Sequence, residues 1–157
     1  MFDFIYEPIF KVFLISMIPI GELRVALPLA LTVYKMDLIT AFFITVLGNM
    51  LPLVAIIYLL EPVSNFLMKH SKFFRWFFNK LFHHTRHRHS KKFEVLEELA
   101  LVTFVAIPLP MTGGWSGALA AFVFGIKPKK SLPLIFLGVL IAGVIVSLIT
   151  LGMKALI

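Results

Sequence analysis

The chain has 157 residues, of which 60% are hydrophobic and 15% charged, and its mean hydropathy is +0.97. Soluble domains are roughly 45–50% apolar and about 25% charged, so this composition disfavours a disordered chain, a nucleic-acid-binding module and an ordinary soluble enzyme. An integral membrane protein remains, and the absence of cysteine excludes disulfides, zinc–thiolate sites, iron–sulfur clusters and a cysteine nucleophile.

The first hydrophobic stretch, residues 9–34, is broken at Pro19-Ile20-Gly21. As a helix it would be roughly 40 Å long, which is long for one crossing of a bilayer core of about 30 Å and too short for two. Proline breaks a helix and glycine permits a tight turn. We therefore predict a re-entrant hairpin, two half-helices that meet near the middle of the membrane. Residues 38–60, which follow, have the length of one transmembrane helix.

Residues 61–98 connect the two halves of the chain and contain the basic tract that makes the whole chain positive, with a net charge of +7. From Lys69 to Lys92 there are eight Lys/Arg residues and no acidic residue, whereas the rest of the chain has seven basic and eight acidic residues. Such a tract between hydrophobic segments is typical of a cytoplasmic loop that contacts anionic lipid. Residues 64–82 also carry seven aromatic residues, as an amphipathic segment at the membrane interface does. We predict membrane lipids as partners and no nucleic acid.

Histidines are concentrated in the same connection. Two of them have the i, i+4 spacing that can bind a metal on a helix, but they alternate with arginines, which repel cations. We therefore favour a solvated membrane-surface loop over a metal site or a pH sensor. The histidines are His70, His83, His84, His87 and His89.

The second half of the chain repeats the pattern of the first. Residues 99–126 are broken at Pro108-Leu109-Pro110 and Gly113-Gly114, and residues 131–153 form an uninterrupted apolar run. Basic residues flank 99–126 on both sides, so the positive-inside rule places both flanks in the cytoplasm. A re-entrant hairpin requires this arrangement and a single kinked crossing forbids it. By the same rule, both termini lie outside.

These segments predict an all-α integral membrane protein whose single domain covers residues 1–157. A hairpin and a crossing helix (9–60) precede the connection, and a second hairpin and crossing helix (99–153) follow it in the opposite sense. Inverted repeats of broken helices are typical of transporters. Short sequence matches support a duplication: Ile18-Pro19-Ile20 with Ile107-Pro108-Leu109, Ala26-Leu27 with Ala118-Leu119, and Leu47-Gly48 with Leu137-Gly138.

Glu22 and Arg24 are the first candidate site residues, together with the Pro19 and Gly21 that precede them. Charge inside a hydrophobic segment is costly and usually functional. Two positions apart on a helix, the two side chains do not face each other, so we expect separate partners. Glu22 suits proton uptake and release, and Arg24 suits a fixed contact with a phosphate. The alternative is a mutual structural pairing that closes the hairpin tip.

The ends of the half-helices add to this anion hypothesis. The second half-helix of each predicted hairpin begins at the tip, so its N-terminus carries free N–H groups and partial positive charge into the midplane. One such end lies near Gly21-Glu22 and the other near Gly114-Trp115-Ser116. Together with Arg24 they would favour a phosphate-bearing group.

The break in the second half holds most of the remaining candidates. Its hydroxyl residues can cap half-helices, its glycines allow the backbone to approach a ligand, and its tryptophan can stack on a substrate. The alternative is a tightly packed tip with small residues for helix contact. Asn49 can coordinate substrate, although a structural bond between helices is the favoured role. The candidates are Pro108, Pro110, Thr112, Gly113, Gly114, Trp115, Ser116 and Asn49.

The sequence from Pro19 to Pro28 resembles the small multidrug export protein family. The likeness continues through Gly48-Asn49 and the second break and covers nearly the whole chain, although Met111 stands where the family usually has a small residue. More distantly, the pattern is similar to the DedA, or SNARE-associated, superfamily. That likeness implies two facing re-entrant hairpins, proton-dependent transport, and movement of lipids such as polyprenyl phosphates between leaflets.

We therefore predict a small transporter of the cytoplasmic membrane of a prokaryote. It would move an anionic lipid or amphiphile, coupled to protons, through a site between the hairpin tips. The sequence has no Ser–His–Asp set, phosphate loop, zinc motif or GxGxxG pattern, so we expect no enzyme activity, no cofactor and no metal. Proton-driven export of lipophilic cations and a non-transporting membrane scaffold remain alternatives. A homodimer would help to cover the polar tips.

Overall fold

The computed structural model describes residues 3–85, 91–109 and 112–156, with the backbone alone for 3–6, 84, 85 and 91–93. The predicted all-α class is confirmed, because these ranges contain seven helices and no strand. Pro110, His87 and His89 lie outside the described residues. The helices are α1 (Asp3–Met17), α2 (Glu22–Thr32), α3 (Leu38–His70), α4 (Lys72–Thr85), α5 (Lys91–Ala106), α6 (Gly114–Phe124) and α7 (Pro128–Leu156).

Two of the described helices, α3 and α7, are long and apolar enough to cross a membrane. They contain the predicted crossings at residues 38–60 and 131–153.

Asp37 caps the start of α3 by accepting a hydrogen bond from Thr40 N at 2.9 Å. Bonds from the Thr40 hydroxyl and backbone lower the pKa of the Asp37 carboxyl. α3 continues ten residues beyond the predicted end and is about 50 Å long.

Four shorter helices form two pairs, each joined by a break in the chain. α1 packs against α2 across residues 18–21, and α5 packs against α6 across residues 107–113. α5 begins at Lys91, eight residues before the predicted segment. Its first two turns are rich in Glu and Lys, which favour helix but are not hydrophobic, so hydropathy alone missed them.

The hydrophobic core lies where α2 and α6 pack against the long helices. α2 contacts α1, α3 and α7, and α6 contacts α3, α5 and α7. Alanines provide much of the buried surface of both short helices, at Ala26 and Ala30 in α2 and at Ala118 and Ala121 in α6. Small side chains allow helix backbones to approach closely, which is how helices pack in lipid.

Glycines bring each long helix against the first helix of the preceding pair. A Cβ at Gly48 in α3 would overlap Ser16 of α1 and lie 2.6 Å from Phe13 O. A Cβ at Gly138 in α7 would lie 2.7 Å from Val105 Cβ of α5. Both contacts therefore require glycine.

α4 is an amphipathic helix attached to the end of α6. The Phe78 and Phe82 rings lie edge-on to Phe122, with centroid distances of 6.3 and 5.4 Å. α6 ends just beyond this contact, at Phe124, and the next residue, Gly125, has a φ of 77° in the left-handed region that favours glycine. Residues 64–70 of the predicted amphipathic segment belong instead to α3.

One cluster of ion pairs fixes the return of the chain after α6. Lys130 Nζ, near the start of α7, lies 3.0 Å from Glu98 Oε1 and 3.8 Å from Glu94 Oε2 of α5. The chain therefore enters the α5–α6 pair and leaves it at the same end of the molecule.

Candidate functional site

Glu22 begins α2 in an unusual backbone conformation. Its φ is 48°, in the left-handed region, and its side chain is buried with 6% exposed. A non-glycine residue held there costs roughly 1–3 kcal/mol. The surrounding structure must therefore fix Glu22 by other contacts.

Those contacts are two backbone N–H groups of α6. Gly114 N donates to Glu22 Oε2, and Trp115 N donates to Glu22 Oε1, both at 3.0 Å. The carboxylate thus caps the N-terminus of α6 from another helix, where the helix dipole favours negative charge.

Arg24 makes the complementary contact with the preceding helix. Its Nη2 donates to the carbonyl oxygens of Val105 and Ile107, both at 3.0 Å, and its Nη1 donates to Leu109 O at 3.3 Å. These carbonyls are at the C-terminal end of α5 and in the break after it, where partial negative charge favours a cation. The prediction that Glu22 and Arg24 have separate partners is confirmed.

The two hydroxyl residues of the break do not cap α6, so that prediction is wrong. Thr112 Oγ1 lies 2.7 Å from Ile107 O and accepts a hydrogen bond from Leu109 N at 3.2 Å, which closes the loop before α6. Ser116 Oγ donates to Gly113 O at 3.3 Å. Neither accepts from the first N–H groups of the helix, because the Glu22 carboxylate already does.

Gly113 and Gly114 allow this close approach. A Cβ at Gly113 would overlap the Glu22 carboxylate, and a Cβ at Gly114 would overlap Leu53 of α3. The sequence predicts bare backbone here so that a ligand can approach. In the structure, the side chains of Glu22 and Leu53 make this close approach instead. In this arrangement the positive end of α6 faces Glu22 rather than a ligand.

A groove of about 710 Å³ lies between the two breaks. Its size is in the range of small-molecule sites, roughly 300–1,000 Å³. It brings together eight of the predicted site residues and is lined mainly by apolar groups. The lining residues are Pro19, Ile20, Gly21, Glu22, Arg24, Val25, Pro108, Leu109, Thr112, Trp115, Ser116 and Leu119.

A second, much smaller cavity of about 10 Å³ lies beside the groove, and Glu22 and Arg24 line both spaces. Asn49 of α3 and both glycines of the break also line the small cavity. Asn49 is 2% exposed, and its Oδ1 has no hydrogen-bond partner. The expected bond between helices is therefore not made by this oxygen.

Some of the site could not be found from side-chain chemistry. The partners of Arg24 are main-chain carbonyls, and those of Glu22 are main-chain N–H groups, which every residue type carries. Leu119 lines the groove without any polar signal. In the part of the chain that the structure describes, no group of three or more His, Asp or Glu residues could hold a metal ion.

Comparison with known proteins identifies the family. A family described as "Putative small multi-drug export protein" matches residues 22–145, which include most of the groove lining, all of α3 and α4, and α7 as far as residue 145. No curated protein and no solved structure matches the chain. The match covers most of the chain, and the chain belongs to this family of small export proteins. Family membership and the two long apolar helices indicate a membrane protein.

Proposed function

We propose that this member of the small multidrug export family is a membrane transporter that binds an amphiphilic molecule in the groove between the two breaks. The observation that carries this proposal is the groove itself, since it is large enough for a small molecule and mainly apolar. Trp115 and Leu119 offer apolar surface, and the Arg24 guanidinium lies at the wall.

We also propose that the two helix pairs are re-entrant hairpins of an inverted repeat. α2 and α6 have 11 residues each, roughly 16 Å or half of a bilayer core. The ion pairs of Lys130 with α5 support entry and exit of the second pair on one side. The glycine contacts of Gly48 and Gly138 support a duplication, because each joins a long helix to the first helix of its own pair.

Glu22 couples the groove to protons in this proposal. An ionised carboxylate accepts from both N–H groups, whereas a protonated one has a donor on one oxygen. Protonation therefore weakens a bond to α6, and Trp115 N is one of the two donors. Because Trp115 also lines the groove, the change reaches the substrate. Among the described residues, Arg24 is the charged group that acts on Glu22. α3, α5 and α7 face the cavity with Asn49, Val105, Val139 and Ala142.

The preferred substrate is an anionic amphiphile with a phosphate group. Arg24 is the basic residue in the groove wall, and the remaining wall suits a hydrocarbon chain. Export of lipophilic cations is the second candidate, because Glu22 lies in the same wall and the family description names drugs.

We further propose that α4 lies on anionic lipid. Its aromatic residues Phe73, Trp76 and Phe77 are exposed, and basic residues accompany them on the same helix. Lys80 Nζ lies 5.1 Å from the centre of the Trp76 ring. Aromatic and basic residues together are typical of a helix at the membrane surface.

Trp115 fluorescence tests the substrate proposal directly. The chain has two tryptophans, so Trp76→Phe leaves Trp115 as the single reporter in the groove. We expect a polyprenyl phosphate to change its emission saturably and the matched polyprenol to bind at least about tenfold more weakly, for loss of the charged contact. A response to a lipophilic cation alone would replace this substrate with the second candidate.

A matched pair of variants tests the location of binding. Leu119→Phe adds bulk inside the groove without touching Glu22 or Arg24, whereas Leu148→Phe adds the same bulk at an exposed position of α7. Leu119→Phe should weaken binding and slow flux of the phosphate in proteoliposomes, and Leu148→Phe should leave both unchanged. Equal behaviour of the two variants would contradict a site in the groove. No response to any ligand would favour the scaffold alternative.

A further inference from the structure

The small cavity beside Glu22 shares Glu22 and Arg24 with the groove, but Asn49 lines only the small cavity. It is lined by residues of α2, α3, α5, α6 and α7, most of them apolar. Two buried polar atoms at its residues have no hydrogen-bond partner in the protein: Arg24 Nε, a donor, and Asn49 Oδ1, an acceptor. Buried polar groups are almost always paired, because each unpaired one is costly.

The size and the chemistry of this cavity select its occupant. A volume of about 10 Å³ corresponds to the space of one water molecule. A metal cation is disfavoured by the Arg24 guanidinium, and an anion is disfavoured by the Glu22 carboxylate in the same wall. Water both accepts and donates, so it satisfies a donor and an acceptor at once.

We infer that the cavity binds a single water molecule that accepts from Arg24 Nε and donates to Asn49 Oδ1. The second O–H of this water is left for the Glu22 carboxylate, which has lone pairs to spare after accepting two N–H groups. Asn49 thereby acts on Glu22 through the water and is a positioning residue. This role explains a polar side chain that is 2% exposed within an apolar helix.

The role of this water in the transport cycle rests on the proposed function. In that cycle, protonation of Glu22 weakens the cap of α6, and the water is a third donor that holds the carboxylate in place. The water site itself does not depend on transport, since it follows from the unpaired atoms and the cavity.

Water contact with Arg24 is measurable by NMR. The chain contains four arginines, so arginine-specific ¹⁵N labelling in micelles gives a simple spectrum, and Arg24→Lys assigns the Arg24 Hε signal. We expect a cross-peak between this Hε and water whose sign in the rotating-frame experiment identifies dipolar contact rather than proton exchange. Absence of the cross-peak from an assigned wild-type signal would overturn the water site.

Two substitutions in α3 provide the matched comparison. Asn49→Leu removes the acceptor at similar volume, whereas Thr45→Val removes a buried hydroxyl one turn earlier that bonds the α3 carbonyls of Ala41 and Phe42. We expect the cross-peak to disappear in Asn49→Leu and to persist in Thr45→Val. Persistence in a folded Asn49→Leu would overturn the assignment of Asn49, and the wild-type spectrum decides the water site even if that variant does not fold.

A pH titration of Trp115 emission in the Trp76→Phe protein tests the effect on Glu22. Asn49→Leu should raise the pH midpoint by about one unit, a tenfold change in proton concentration, because the ionised carboxylate loses a donor. Thr45→Val should leave the midpoint unchanged. An unshifted midpoint in Asn49→Leu would overturn the positioning role. Absence of any pH response in the wild type would instead refute the proposed proton switch, while the water cross-peak would still stand.

Discussion

Glu22 combines three features that are individually unfavourable: a left-handed backbone conformation, a buried side chain and a negative charge in an apolar segment. They become compatible because the carboxylate accepts two N–H groups at the positive end of α6. Arg24, two residues later, donates hydrogen bonds to the carbonyls at the negative end of α5. One short stretch of α2 thus satisfies both sides of the break in the second helix pair.

Gly113→Ala tests the contact between the Glu22 carboxylate and the start of α6. The added Cβ would overlap the Glu22 carboxylate, so the substitution should reduce the free energy of unfolding by about 1–3 kcal/mol. Gly152→Ala is the control, because a Cβ there meets nothing within 4 Å; it should be neutral or stabilise by about 0.5–1 kcal/mol. SDS titration of detergent-purified protein measures both, and equal stabilities would show that Gly113 is not needed for the cap.

The sequence allowed the charged pair and the glycines to be selected, because charge and bare backbone are both unusual in hydrophobic segments. It did not allow their partners to be selected. The side-chain types along the chain give no sign that Glu22 accepts from Gly114 and Trp115, since those donors are main-chain groups. The capping role expected for Thr112 failed for the same reason: a more distant carboxylate competes for the N–H groups.

At the scale of the helices, aromatic contacts with Phe122 join α4 to α6. Phe78 and Phe82 are one helical turn apart, so both rings reach Phe122. The sequence predicted an amphipathic segment, because its aromatic and basic residues alternate. It could not predict that part of the aromatic face packs on α6, nor that α3 continues to His70, because amphipathic pattern does not specify a partner.

Phe122→Ala should release α4. Edge-to-face aromatic pairs are each worth about 0.5–1.5 kcal/mol, so loss of two should speed amide hydrogen exchange in residues 74–82 roughly fivefold to a hundredfold. Phe124→Ala, two positions along the same helix at an exposed site, should leave that exchange unchanged. Equal exchange in the two variants would mean that the bilayer or the micelle, rather than Phe122, holds α4.

At the scale of the whole molecule, three contacts gather the basic parts of the chain at one end. α4 packs on the end of α6, Lys130 pairs with the start of α5, and α3 ends where α4 begins. The charge pattern predicted a common side for the flanks of residues 99–126 from the positive-inside rule alone. The structure explains why these two flanks lie at the same end of the molecule: the two helices of this pair, α5 and α6, return the chain to the end at which it entered.

This arrangement predicts the outcome of a labelling experiment that the chain suits well, because it has no cysteine and each introduced cysteine is unique. We would place one cysteine at a time at three exposed positions: Asn79 in α4, Lys129 at the start of α7 and Ala155 near its end. In sealed cells, a membrane-impermeant maleimide should label Ala155→Cys but reach Asn79→Cys and Lys129→Cys only after permeabilisation. Re-entry requires that Asn79 and Lys129 share one side whichever side that is, whereas a single kinked crossing between them would place them on opposite sides. Labelling of Asn79→Cys and Lys129→Cys from opposite sides would therefore exclude the second hairpin. Labelling of both from the outside would reverse only the predicted orientation of the protein in the membrane.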